Sequence, residues 1–224
     1  MADKIENQTL ADSLNAKLEK SKGTVIAICA IVAVVIVVIA VCATVKSKST
    51  ERGIEKIDSI SYTLTDKASE LSEEDLAARK DKALEEISSL TGKGGIVGLR
   101  ANMLVAEIKF SQKKYEEARS AWLKAVDVKK SAYTAPLCYF NAAVCSEELG
   151  DNENAISYYK LASEYGDFLL TDHTLFSLGR VYESTQKFAD AKSTYEKLFD
   201  LRSTSSWGEL AKTRLISLKA EGKI

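Results

Sequence analysis

Three stretches decide the fold: KKYEEARSAWLKAV at 113–126, GDNENAISYYKLAS at 150–163 and QKFADAKSTYEKLF at 186–199. Each centres on an alanine: Ala118, Ala155 or Ala191. Four residues on comes an aromatic, Trp122, Tyr159 or Tyr195, and three further on Ala125, Ala162 or Leu198. Spacings of three and four put these side chains on one face of a helix. Twelve residues before each alanine stands another small residue, Ala106, Ala143 or Gly179, inside a second amphipathic segment. The unit therefore recurs after 37 and then 36 residues. A period in this range marks helical hairpins that bury their apolar faces only by stacking on neighbours. The small residues let paired helices approach, and the aromatics fill the space between one unit and the next.

Composition agrees with an all-α chain. Of 224 residues one is proline and 11 are glycine, too few breakers for a collagen-like, low-complexity or turn-rich β chain. Thirty-one basic side chains against 32 acidic ones give a net charge of −1, which argues against a nucleic-acid binder. The single histidine, His173, leaves little scope for metal or general-base chemistry. Thr91-Gly92-Lys93-Gly94-Gly95 lacks the spacing of a phosphate-binding loop, and no nucleophile, base and orienting group stand together. The expectation is a protein without catalytic residues, cofactor, metal or small-molecule substrate. Cys138 and Cys145 are seven apart on one helix face, ~10.5 Å by helical rise, beyond disulfide reach, so both are expected to fill core space.

Residues 24–45, TVIAICAIVAVVIVVIAVCATV, contain no charge, glycine or proline. As a helix they would span ~33 Å, enough for a hydrocarbon core of ~30 Å. A cleaved signal would have an apolar run of about 7–15 residues, and this one is longer and preceded by a polar segment. A lipoprotein signal ending at Cys42 would need a small residue where Val41 stands. The reading is an uncleaved single-pass transmembrane helix. Lys4, Lys17, Lys20 and Lys22 on one flank balance Lys46, Lys48, Arg52 and Lys56 on the other, so charge alone does not orient it. A short lysine-bearing tail favours an N-terminus in the cytoplasm. Beyond the run, Ile54, Ile57, Ile60, Tyr62 and Leu64 mark a polar amphipathic helix. Ser72 is placed to cap a second helix carrying Leu76, Leu84, Ile87 and Leu90. The expected layout is a tail at 1–23, the membrane helix at 24–45, a helical hairpin at 46–97, three repeats at 98–204, and a capping helix at 205–224 with Leu210, Leu215 and Leu218 facing inward.

The repeated pattern resembles the tetratricopeptide repeat, or TPR. Leu175, Leu178-Gly179, Tyr182, Phe188, Ala191 and Tyr195 follow the family pattern most fully; the closing proline is absent, and Lys109 and Ser146 replace the first-helix tyrosine in two repeats. The resemblance implies a TPR-like α-solenoid whose concave face comes mainly from the first helix of each hairpin. Carried over by position, that partner-binding face holds Met103, Leu104, Glu107 and Phe110, then Phe140, Asn141, Val144 and Glu147, then His173, Phe176, Ser177, Arg180 and Glu183. Of the residues used by TPRs that clamp a chaperone's C-terminal carboxylate, Asn141 alone matches, so that mode is not expected.

The layout as a whole resembles the bacterial family of the ancillary SecYEG translocon subunit. That resemblance implies an inner-membrane protein with its repeats in the periplasm, binding the translocon and periplasmic chaperones. Two other arrangements fit the same layout: a cytosol-facing receptor of opposite topology, and a cell-envelope structural protein that associates with itself.

Overall fold

The computed structural model describes residues 12, 15–16 and 21–224. Lys4, Lys17 and Lys20, on which the orientation reading leans, fall outside the described residues. The described residues form nine α-helices and one short 3-10 turn, with no strand. In chain order the helices are α1 Lys22–Thr65, α2 Glu73–Thr91, α3 Gly95–Ser111, α4 Tyr115–Val128, α5 Ala135–Glu148, α6 Asn152–Ser163, α7 Thr171–Ser184, α8 Phe188–Leu201 and α9 Ser206–Ala220. The chain divides into two compact units between Arg52 and Gly53.

In the first unit the apolar run is helical, and its side chains are exposed on every side. It is long and apolar enough to cross a membrane by length and composition.

The second unit is the helical array. Three apolar clusters run through it, and each draws on more than one hairpin. Ile57 and Ile60 of α1 meet Ala83, Ile87 and Leu90 of α2 and Val97, Leu104 and Ile108 of α3. Ala106 of α3 and Trp122 of α4 meet Cys138 and Cys145 of α5. Tyr159, Leu175, Tyr195, Leu198 and Leu218 continue the core from α6 to α9. A hairpin alone would leave its face in water, so the stability is that of the stack. Burial pushes the Cys138 thiol up to about 12, with help from the nearby Glu107 charge, and the Cys145 thiol up to about 11. Both stay protonated and free, packing as small apolar side chains.

Helix ends follow local chemistry. The Ser72 Oγ accepts from the Asp75 N–H at 3.1 Å, as its position predicts. Ser205 does the same for Gly208, and Asp151 for Asn154. The one proline, Pro136, opens α5, where its missing N–H has no partner to lose. Within each of the three repeat hairpins, α3–α4, α5–α6 and α7–α8, the helices are joined by three residues, and one sits in the left-handed region at the same place: Lys113 at φ 59°, Gly150 at 70° and Gln186 at 59°. The next N–H reaches back over the helix end, from Lys114 to the Lys109 carbonyl, Asp151 to Ser146 and Lys187 to Tyr182. Only one of the three turns uses glycine, for which the conformation is unstrained. Gln186→Gly is therefore expected to raise stability by about 0.5–1 kcal/mol, read from the urea midpoint; an unchanged or lower midpoint would contradict the turn geometry.

Two sequence expectations are corrected. Tyr62 is exposed, so the α1 stripe consists of Ile57 and Ile60 flanked by Ile54 and Leu64. Leu210 is 46 % exposed; α9 instead buries Gly208, Ala211 and Leu218. A Cβ at Gly208 would stand 2.1 Å from the Arg202 carbonyl oxygen, so the helix packs by its smallest residues.

Candidate functional site

The first helices of successive hairpins meet side by side, and a repeated polar contact fastens them. Glu147, in the last turn of α5, accepts from the Tyr159 hydroxyl of α6 at 2.6 Å and pairs with Arg180 of α7 at 2.5 Å. One repeat later Glu183 accepts from Tyr195 at 3.3 Å and pairs with Arg214 of α9. The carboxylates are 36 residues apart, and so are the tyrosines. Each glutamate thus ties its own hairpin to the next. Burial and the adjacent carboxylate raise the pKa of Tyr159 and of Tyr195, so both remain phenols and donors. The first repeat breaks this ladder. The matching positions hold Phe110, Trp122 and Val144, and the Trp122 indole N–H is buried with no hydrogen-bond partner among the described residues.

Around the Glu147–Arg180 pair lies an open hollow lined by Phe140, Asn141, Val144, Glu148, His173 and Ser177 as well. Phe176 and Arg180 border a neighbouring cleft with Glu183, Tyr195, Phe188 and Arg214. His173 stacks on Trp207, ring centres 4.3 Å apart and 8° from parallel. Phe176 approaches the same indole at 5.3 Å, and Phe140 approaches His173 at 5.0 Å. The floor is therefore aromatic and the rim charged, an arrangement suited to holding an extended or helical segment of another protein.

Of the residues singled out by sequence, Phe140, Asn141, Val144, His173 and Arg180 share the first hollow, and Phe176 the second. Phe140 is 7 % exposed and packs against Tyr159 and Phe168, so it is floor rather than a free contact. Met103, Glu107 and Phe110 stand apart on α3. Met103 is packed on the second core cluster, and Phe110 sets its edge on Tyr115 at 5.3 Å. Glu107 is exposed and forms no ion pair with a described residue. The protein atoms around it strip water from its carboxyl and raise its pKa, although the group stays open to solvent. Sequence reasoning missed Trp207, which reaches in from the capping helix, and the Tyr–Glu–Arg ladder. The signal for the ladder was available in the 36-residue recurrence of Glu147/Glu183 and Tyr159/Tyr195.

Burial, and then the Arg180 charge, lower the pKa of His173, with Glu147 opposing. A histidine whose folded pKa lies below its unfolded value disfavours protonation in the fold. Stability should therefore fall as pH drops through the ordinary histidine value near 6.5 and level off below the folded value. His173→Gln should flatten that part of the pH–stability curve, and an identical slope in both proteins would contradict the assignment.

Residues 137–165 and 172–205 match the family model of the tetratricopeptide repeat. A TPR repeat-containing protein of Treponema pallidum (strain Nichols) is 33 % identical over 139 residues, covering 62 % of this chain and 58 % of that protein. The chain thus spans less than two thirds of that relative's length. Among solved structures, BtubC of P. vanneervenii superposes with a TM-score of 0.60 at 16 % identity, over 80 % of this chain and 78 % of that one. A putative kinesin light chain of Podosopora anserina with nearly identical TPR-like repeats gives 0.57 at 10 % identity, over 77 % and 88 %. At these identities the structural likeness concerns the fold. The described residues thus form an all-α, TPR-like solenoid whose second and third hairpins match the tetratricopeptide-repeat model.

Proposed function

We propose that the chain is a membrane-anchored scaffold that captures protein or peptide partners on the face built by α3, α5 and α7. Residues 24–45 span the inner membrane and the repeats lie on the periplasmic side. There the chain serves as an ancillary component near the translocon and periplasmic chaperones, as the family resemblance implies. The observation that carries the reading is the hollow itself. Its aromatic floor is held rigid by buried packing, while Asn141, Ser177 and the Glu147–Arg180 pair offer polar groups around it. An ordered array loses little freedom on binding, and a tether raises its effective concentration beside membrane complexes.

Glu107 supplies a discriminating test. Its carboxylate is partly stripped of water and unpaired, so it suits a cationic group on the partner. Above its raised pKa the charge costs folding stability, so Glu107→Gln should leave the unfolding midpoint equal or higher at neutral pH while reducing partner recovery in pull-downs from solubilised membranes. In the native protein, capture should weaken on acidification sooner than an ordinary glutamate would dictate. Full recovery by Glu107→Gln would remove this residue from the binding face. Protease added to spheroplasts should digest the repeats, and protection would place them in the cytosol instead.

A further inference from the structure

The loops that join one hairpin to the next share an edge of the array with a property the binding face does not explain. Leu169 is 95 % exposed and Tyr133 88 %, more than any other large apolar side chain among the described residues, the apolar run of α1 included. Ile96, at the start of α3, is exposed too. Positions 96, 133 and 169 are 37 and 36 residues apart, so these three occupy one place in successive repeats. The loops are neighbours in space: the Tyr165 hydroxyl donates to the Lys130 carbonyl at 3.3 Å, and the Tyr139 and Tyr165 rings are 6.5 Å apart. The edge is a row of apolar side chains, Tyr133 and Leu169 at the tips of connectors and Ile96, 37 % exposed, in the first turn of α3.

The same connectors carry Lys93, Lys129 and Lys130 against Glu164 and Asp167, with Arg202 paired to Asp172 of α7 at 3.4 Å, so they are net cationic in a chain of net charge −1. This is also the edge at which the polypeptide enters the array. A Cβ at Gly53 would lie 2.8 Å from Val97, one residue past Ile96, and Asp58 pairs with Arg100 at 2.6 Å, so this part of α1 runs parallel to α3 from the same end. Seven residues, 46–52, separate the apolar run from Gly53, at most ~25 Å of chain.

We propose that this edge rests on an anionic lipid surface, with Tyr133 and Leu169 entering the headgroup–acyl boundary and the lysines facing phosphates. Bulky apolar tips flanked by cations are the chemistry that holds a protein in the interface plane, and tyrosine is favoured there. A repeat-to-repeat row extends that contact along the array and leaves the partner-binding face free. The inference rests on the reading of 24–45 as membrane-embedded, and the test separates the two.

The full chain is reconstituted into phosphatidylglycerol vesicles with brominated acyl chains, and one tryptophan is added at a time to the native pair, Trp122 and Trp207. Ile36→Trp reports the apolar run, Leu169→Trp the proposed edge, and Leu149→Trp the turn at the opposite end of the helices. The expected result is strong quenching at 36, about a twofold loss of the added emission at 169, and none at 149. Quenching at 169 should weaken in phosphatidylcholine and in Lys129→Glu/Lys130→Glu. Quenching at 36 with none at 169 overturns the lipid-facing edge, and is the result expected if a protein covers it. Quenching at 169 without 36 upholds the edge and removes the anchor. Equal quenching in both lipids overturns the preference for anionic headgroups.

Discussion

Urea unfolding of Tyr159→Ala is expected to lose about 4 kcal/mol relative to the native chain, the range for deleting a fully buried aromatic ring. Tyr159 is essentially inaccessible, and its ring meets Phe140 edge-on at 5.6 Å between α5 and α6. Truncation opens a void inside the second hairpin, in the cluster it shares with Leu175 and Leu178 of α7, and also removes the hydroxyl donor from Glu147. The two contributions separate in Tyr159→Phe, which keeps the ring and should lose only about 1–2 kcal/mol. A domain of ordinary stability has about 5–15 kcal/mol in all, so the alanine variant should sit near the edge of folding. A loss below about 1 kcal/mol would mean that the ring does not hold the repeats together.

Gly179→Ala is the second large effect, and it acts by crowding. A Cβ at Gly179 would lie 2.4 Å from the Tyr195 ring, which is itself fully buried and hydrogen-bonded to Glu183. The added methyl must push α7 from α8. Ala106 and Ala143 fill this position in the other hairpins, so the change asks the third hairpin to adopt wider spacing while its neighbours stay fixed. The expected net loss is about 2 kcal/mol, after the helix gains up to ~1 kcal/mol from replacing glycine. Calorimetry should show the lower midpoint; an increase would mean that helix propensity outweighs contact and that α7 and α8 are not packed closely there.

Most of the array was legible because its information is local. The alternation at 118, 122 and 125 and its two echoes lies within the helical period, and the small residues at 106, 143 and 179 mark where paired helices touch. Ser72 was readable as a cap for the same reason. What was not legible depends on how separate helices are offset. Glu147 meets Arg180, whose repeat equivalent in α5 is Val144, so adjacent first helices are displaced by nearly a turn; nothing in one repeat encodes that shift. Phe140 was readable as belonging to the inner face but not for depth, because Phe168 closes over it from a connector. Leu210 misled because α9 offers two apolar stripes, and close approach to the Arg202 carbonyl selects the one with Gly208 and Ala211. Trp207 escaped notice because a residue at the start of a capping helix looks like a terminus, whereas its indole completes the aromatic floor with His173 and Phe176.

Site-specific photo-crosslinking in intact membranes addresses the working surface most directly. A diazirine side chain at Asn141 or Phe176 reports the face where first helices meet; one at Ser157 or Ser193, both exposed on second helices, reports the other side. A tethered scaffold that works through its inner face yields adducts with the same distinct protein from 141 and 176 and none from 157 or 193. Adducts from 157 and 193 alone, or adducts only with a second copy of this chain, would contradict it.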